Sequence, residues 1–137
     1  HMEEANRLLG SPFCMEGKVI HGKKRGTDMG FPTANVQVSD EYIIPKNGVY
    51  AGKIHVGRQS YGCMINIGLN PTFHDVDAIS LEANIFDFHE DIYGQVVSVD
   101  FLKFIRPEKQ FRSKSNLVMQ LEQDKRTIQK YFEEGVL

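Results

Sequence analysis

The sequence has no tryptophan, only two cysteines among 137 residues and no long apolar run. The two cysteines, Cys14 and Cys63, lie far apart, so we expect reduced thiols and no disulfide framework, although a single bridge stays open. No apolar segment approaches the roughly 18 residues needed to cross a bilayer, which argues against a membrane protein. Because a secretory apolar segment is also absent, we expect a cytoplasmic location.

An excess of basic residues is missing as well. The formal net charge is −2 at pH 7, so bulk attraction to nucleic acid or to a membrane surface is not expected, and any anion-binding site must be local. What the chain does have is an ordinary balance of 41% hydrophobic and 25% charged residues. That balance, at this length, predicts one globular domain with one core.

The first 12 residues are interpreted as a segment outside that domain. His1-Met2 is typical of a tag remnant, and EEANRLLGSPF is expected to form a short helix followed by a linker. The domain itself is predicted to cover residues 13–137. No internal repeat or low-complexity tract divides it.

Most of the domain shows the short periodicity of β-strands. VYAGKIHV and CMINIG, joined at Gly57 to Ser60, predict a hairpin, and VVSVDFLKFI is rich in β-branched and aromatic residues. From Ile79 to Phe88, aliphatic residues alternate with a polar face on which Glu82 shares a side with Asn84, Phe86 and Phe88. Several such strands with brief connections predict a closed antiparallel barrel.

Only the C-terminus has a helical period. Apolar residues recur there at spacings of four and seven, at Leu117, Leu121, Ile128 and Phe132. Gly135 stands where such a helix would end. The sequence therefore predicts one C-terminal helix beside the barrel.

The glycine-rich segment GKVIHGKKRGTDMGFPTAN (17–35) does not form a Walker A loop. Residue 24 is lysine where that motif needs a serine or threonine to hold Mg²⁺, and Gly26, Gly30 and Pro32 prevent the helix that must follow. The dinucleotide fingerprint G-x-G-x-x-G is absent too. Two interpretations stay open: a solvated surface loop, or a basic loop that closes over a polyphosphate.

Pro32 gives the next residues a rigid start. It disfavours helical geometry before it, so Thr33 and Asn35 lie two apart on an extended chain and point the same way. Two neutral oxygen ligands on one side suit Mg²⁺, which takes its remaining ligands from water and substrate phosphates. Thr-Ala-Asn by itself is also a common turn sequence.

Six motifs of this chain closely resemble the signature segments of riboflavin kinases, the ATP-dependent enzymes that make FMN. They are GKVIHGKKRGTDMGFPTANV (17–36), NGVYAG (47–52), NIGLNPTF (66–73), LEANIFDF (81–88), DIYG (91–94) and IRPEKQF (105–111). They follow the family's order, and with the C-terminal helix the resemblance spans Gly17 to Phe132. It implies a six-stranded Greek-key-type barrel with a C-terminal helix, and phosphorylation of the ribityl 5′-hydroxyl of riboflavin to give FMN and ADP.

The resemblance also implies roles for individual residues. Those on the ATP side are Gly22, Lys23 and Gly26 in a flap, Thr33 and Asn35 on ATP and its Mg²⁺ ion, and Asn84 on the nucleotide. Glu82 matches the catalytic carboxylate. Arg106, Lys109 and Phe111 match a second flap that contacts riboflavin. One departure is Asp28, which stands in the first flap where relatives usually carry a basic residue.

The segment before the barrel resembles the linker of bifunctional FAD synthetases, in which an FMN adenylyltransferase domain comes first. Two interpretations stay open: the chain was cut at the linker and that domain is a partner missing from it, which the tag remnant favours, or the protein is a solitary kinase. Two other functions are weighed: a flavin-binding regulatory domain without catalysis, and a nucleic-acid-binding barrel of the OB type. Acidic balance disfavours the second, and the presence of Glu82, Thr33 and Asn35 disfavours the first.

Overall fold

The structure, a computed structural model, describes residues 2–20, 33–38, 45–69 and 79–134. Within these residues eight elements follow one another: α1 (Met2–Leu9), β1 (Phe13–Ile20), β2 (Thr33–Val38), β3 (Gly48–Val56), β4 (Gln59–Leu69), β5 (Ile79–Ile85), β6 (Val96–Arg106) and α2 (Lys114–Glu133). The predicted helix stop at Gly135 lies outside the described residues.

The six strands form a closed antiparallel barrel in the order β1-β2-β5-β4-β3-β6, which confirms the predicted fold class. The predicted hairpin is β3 and β4, which turn at Gly57 and Arg58. Gly57 has a φ of 61°, a backbone conformation that glycine adopts without steric cost. Strand β2 pairs with β1 and with β5 but not with β3, the next strand in sequence, which makes the topology a Greek-key type.

Alternation along each strand sends one set of side chains into the barrel. On β5 the buried interior residues are Leu81, Ala83 and Ile85, as the sequence pattern indicates. The full interior cluster consists of Met15, Val19, Val36, Tyr50, Ile54, Cys63, Ile65, Ile67, Leu81, Ala83, Ile85, Phe88, Ile92, Val97, Val99 and Phe101. Each large aliphatic side chain buried there stabilises the fold by about 1.5–3 kcal/mol. The other face of β5 is therefore left for polar residues.

The prediction that the outward side of β5 continues to Phe88 is wrong. The strand stops at Ile85, and Asp87 takes a φ of 54° in the turn that follows. Phe86, just before the turn, stays on the outer side as predicted and packs in a cluster outside the barrel, whereas Phe88, just after it, turns back into the interior cluster. Phe88 thus does not share a face with Glu82, because the two-residue period holds only while the chain stays extended.

Helix α2 covers part of the barrel's outer surface. Its Ile128 is fully buried against Val49, Ala51, Met64 and Phe86, which form the outer cluster. The helix begins after Ser113, whose Oγ accepts a hydrogen bond from the backbone N–H of Asn116 at 3.1 Å. These contacts fix the direction of α2 across β3 and β4.

Replacing Ile128 with alanine should lower the free energy of unfolding by about 2–5 kcal/mol, because it opens a cavity in the outer cluster. Urea unfolding followed by circular dichroism measures the change. Met119 on the same helix is 67% exposed, so Met119→Ala is the matched control and should change little. Equal effects of the two substitutions would contradict the packing of α2 described above.

The N-terminal segment forms the expected short helix, but α1 is also tied to the barrel. The Asn6 side chain donates to the carbonyl of Phe101 and accepts from the backbone N–H of Phe13, both at 2.7 Å. Met2, excluded from the fold by the sequence analysis, packs against the interior cluster. The helix therefore contributes contacts that a linker would not make.

Both cysteines are free, as predicted. Cys63 is fully buried in the barrel, and this burial raises the pKa of its thiol well above the ordinary value. Partial burial and the neighbouring Asp100 raise the pKa of Cys14 as well. Neither cysteine is therefore activated as a thiolate. Within residues 2–20, 33–38, 45–69 and 79–134, no helix is long and apolar enough to cross a membrane.

Candidate active site

Polar side chains occupy the outward face of three neighbouring strands, β2, β5 and β4. In the register of the sheet, Asn35 lies directly across from Glu82, and Thr33 lies across from Asn84. Side chains paired in this way have Cβ atoms roughly 4.5–5.5 Å apart. The intervening residues face the barrel interior, so the four polar residues form one compact group. We call this group the polar face.

Strand geometry explains why the polar face exists. Ala34 and Val36 of β2 turn inward, as do Leu81 and Ala83 of β5, so their neighbours in sequence must turn outward. The predicted common direction of Thr33 and Asn35 follows from the same alternation.

Burial differs within the polar face. Asn84 is 8% exposed and pairs in register with Met64 of the outer cluster, whereas Glu82 is half-buried. The hydroxyl of Ser80 lies 3.5 Å from Glu82 Oε1 and donates a long hydrogen bond to it. A carboxylate in this position is accessible to a ligand while its own strand holds it in place.

Asn66 lies next to the polar face, and the sequence analysis did not single it out. It lies on β4 directly across from Glu82, on the side opposite to Asn35. Its Oδ1 atom is buried and has no hydrogen-bond partner among the described residues. The motif NIGLNPTF contains it, but only the cross-strand register shows that it neighbours Glu82.

The predicted flavin-binding residues lie where β6 leads into α2. Arg106 is 13% exposed and pairs with Asp124 of α2, which is 3% exposed. Its Nε and Nη2 atoms donate to the carboxylate at 2.8–3.0 Å, and Nη1 donates to the carbonyl of Pro107 at 3.0 Å. Gln120 also donates to Asp124, at 2.9 Å. The pair therefore fastens the end of β6 to α2 and leaves two guanidinium N–H groups of Arg106 uncommitted by these bonds.

The segment after Arg106 passes over β4. A Cβ atom added to Gly68 would clash with the side chain of Glu108, so the Glu108 carboxylate rests on this glycine. Gly68 is paired with Ser80, the residue that donates to Glu82. Residues 107–111 are thereby brought next to the polar face on its β4 side.

Lys109 and Phe111 complete this segment. Lys109 Nζ donates to Gln120 Oε1 at 3.2 Å, and the centroid of the Phe111 ring lies 6.0 Å from the guanidinium carbon of Arg106. Lys109 is exposed and Phe111 is partly exposed. The predicted site residues Gly22, Lys23 and Gly26, and Asp28 with them, lie outside the described residues.

The polar face fits a hard cation. Thr33 and Asn35 offer a hydroxyl and an amide oxygen on one side, and Glu82 lies beside Asn35. Oxygen ligands of this kind suit Mg²⁺, which retains waters and binds substrate phosphates. In the described part of the chain, no three residues of the His, Cys, Asp and Glu types come together as a metal cluster.

Comparison with known proteins places the chain in a family. The model of the family Flavokinase, described as riboflavin kinase, matches residues 9–132. The bifunctional riboflavin kinase/FMN adenylyltransferase of Listeria monocytogenes is 47% identical over 131 residues, which are 96% of this chain and 42% of that protein. The chain thus spans less than half the length of this relative.

Two solved structures share the fold. A Trypanosoma brucei riboflavin kinase superposes with a TM-score of 0.66 at 29% identity, covering 89% of this chain and 80% of that one. A Streptococcus pneumoniae chain described as a macrolide-efflux protein gives a TM-score of 0.88 at 41% identity, covering 93% and 42%.

These matches do not favour the regulatory or nucleic-acid alternatives. A family model that covers most of the chain, a relative at 47% identity and a shared barrel agree on one assignment. The chain belongs to the riboflavin kinase family, and its barrel is a riboflavin kinase domain.

Proposed function

We propose that this domain transfers the γ-phosphoryl group of ATP to the ribityl 5′-hydroxyl of riboflavin, with Glu82 as the general base. The observation that carries the proposal is the polar face, where Glu82 has Asn35 as its direct cross-strand neighbour. A carboxylate beside neutral metal-binding oxygens is the arrangement that phosphoryl transfer to a hydroxyl needs.

Glu82 takes the hydroxyl proton as the oxygen attacks the γ-phosphorus. The new oxygen–phosphorus bond forms, the bond from the γ-phosphorus to the bridging oxygen breaks, and ADP leaves. The hydrogen bond from Ser80 holds one carboxylate oxygen. The strand and this hydrogen bond orient the carboxylate before the substrate hydroxyl arrives.

Thr33 and Asn35 are the residues that would hold Mg²⁺. When bound, the ion neutralises charge on the triphosphate. The remaining assignments are Gly22, Lys23 and Gly26 as a flap over ATP, and Asn84 as a contact to the nucleotide. An amide such as that of Asn84 donates and accepts hydrogen bonds, which suits a neutral base or ribose.

Riboflavin is assigned to the β4 side of the polar face. Segment 107–111 passes over β4 on this side, and in it Lys109 is exposed and Phe111 is partly exposed. An aromatic ring and cationic donors complement a planar tricycle that carries carbonyl groups. Arg106 is proposed to act through its two uncommitted N–H groups and by holding the segment against α2.

We also propose a domain organisation and a location for the full-length protein. The related protein of Listeria monocytogenes is described as bifunctional and is more than twice as long as this chain. We therefore propose an FMN adenylyltransferase domain as the natural partner of this chain. The kinase domain is proposed to begin at residue 13, and the protein to act in the cytoplasm.

Incubation with riboflavin and Mg-ATP tests the function. Products are separated by chromatography and detected by flavin fluorescence, with ADP measured in parallel. We expect FMN and ADP in equal amounts. ADP without FMN, or flavin binding without either product, would contradict the proposal.

Asn35→Ala should raise the free Mg²⁺ concentration needed for half-maximal rate. Mutation of even an outer-shell partner weakens a metal site roughly 10- to 100-fold, and loss of a direct ligand should cost at least as much. Initial rates are measured over a range of Mg²⁺ at saturating riboflavin. Gln37→Ala is the control, since this amide lies on the same strand and is exposed. An unchanged Mg²⁺ requirement in Asn35→Ala would remove Asn35 from the metal site.

A further inference from the structure

The Oδ1 atom of Asn66 is a buried hydrogen-bond acceptor whose partner is missing from the described part of the chain. A buried polar atom without a partner is unfavourable, and folded proteins leave few of them. Such an atom at a site for ligands indicates a group that the ligand supplies. Because Oδ1 only accepts, the missing group must be a hydrogen-bond donor or a cation.

The position of Asn66 decides whether the missing group is a hydrogen-bond donor or a cation. Glu82 lies on the central strand, with Asn35 across from it on β2 and Asn66 across from it on β4. Neighbouring strands are roughly 4.7–4.9 Å apart, so β2 and β4 are separated by about twice that distance. A Mg²⁺ ion with ligands at about 2.1 Å, held by Thr33 and Asn35, is therefore on the other side of Glu82.

Of the groups that the two substrates bring to this site, only a hydroxyl group can donate a hydrogen bond to Asn66 Oδ1. Phosphate oxygens accept hydrogen bonds and would not satisfy Oδ1. Under the proposed function, the group beside Glu82 is the reacting end of the ribityl chain of riboflavin. Each hydroxyl group of that chain can donate one hydrogen bond. The Glu108 carboxylate of segment 107–111 rests on Gly68, two residues from Asn66 along the same face of β4. The flavin is therefore expected on the same side of Glu82 as Asn66.

We propose that Asn66 is a substrate-positioning residue: its Oδ1 accepts a hydrogen bond from the ribityl 4′-hydroxyl, the one next to the hydroxyl that is phosphorylated. This inference rests on the proposed function. The contact turns the 5′-hydroxyl toward Glu82, while phosphate and metal approach from the β2 side. Asn35 and Asn66 thus serve opposite sides of one carboxylate.

The test compares riboflavin with an analogue in which hydrogen replaces the 4′-hydroxyl. Dissociation constants are measured by quenching of flavin fluorescence for the wild type, Asn66→Ala and Gln59→Ala. Gln59 is an exposed amide at the far end of the same strand and is the matched control. The wild type and the control should bind riboflavin roughly 10- to 100-fold more tightly than the analogue, whereas Asn66→Ala should bind the two equally.

Two further readouts separate this role from a structural one. The thermal midpoint of Asn66→Ala without ligand should equal or exceed that of the wild type, because no bond of Oδ1 is lost. The Michaelis constant for ATP should stay unchanged. Undiminished discrimination in Asn66→Ala, or no discrimination in the wild type, would overturn the inference. Failure of the proposed function is seen separately, as a wild type that makes no FMN from riboflavin.

Discussion

Glu82→Gln should lower kcat about 10²- to 10⁴-fold while the dissociation constant of riboflavin stays nearly unchanged. Glutamine has the same shape and still receives the hydrogen bond from Ser80, but it cannot take a proton. The loss corresponds to about 3–5 kcal/mol of transition-state stabilisation. Single-turnover FMN formation measures the chemical step, and flavin fluorescence measures binding.

Glu90→Gln is the matched control, since Glu90 is exposed in the connection after β5. It removes the same charge from an exposed residue that is not part of the polar face and should leave both quantities unchanged. If Glu82→Gln keeps the wild-type rate, Glu82 is not the base. A parallel loss of riboflavin binding would instead assign Glu82 to substrate binding.

The barrel was predictable because its strands alternate cleanly between apolar and polar residues. On β5, Leu81, Ala83 and Ile85 identify the inner face, and that fixes Glu82 on the outer one. The alternation did not predict Phe88, because the turn at Asp87 ends the period. Sequence periodicity therefore located the catalytic candidate but not the limits of its strand.

The sequence alone could not predict contacts between residues that are distant along the chain. Asn66 carries no recognisable signal of its own, and it neighbours Glu82 only through the register of β4 and β5. The bonds from Asn6 to β1 and β6 depend on where α1 docks. The roles carried over from the family resemblance for Thr33, Asn35 and Glu82 stay predictions, although the structure brings these residues together.

Asp124→Ala should lower the free energy of unfolding by about 3–5 kcal/mol, because it leaves the Arg106 guanidinium largely buried without its counter-charge. Urea unfolding measures the change. The exposed pair of Arg7 and Glu4, 3.9 Å apart, is the control: Glu4→Ala should cost at most about 1 kcal/mol. An equally small effect of Asp124→Ala would mean that the pair does not hold β6 to α2.

The same substitution should weaken riboflavin binding, since segment 107–111 directly follows Arg106, the residue that Asp124 holds. A double variant, Arg106→Met with Asp124→Leu, separates the two roles of Arg106. Apolar residues of similar volume often replace a buried ion pair without loss of stability, so the double variant should recover most of the unfolding free energy. Riboflavin affinity should stay low if the remaining N–H groups of Arg106 contact the flavin. Recovery of both properties would instead show that Arg106 acts only by fastening the segment to α2.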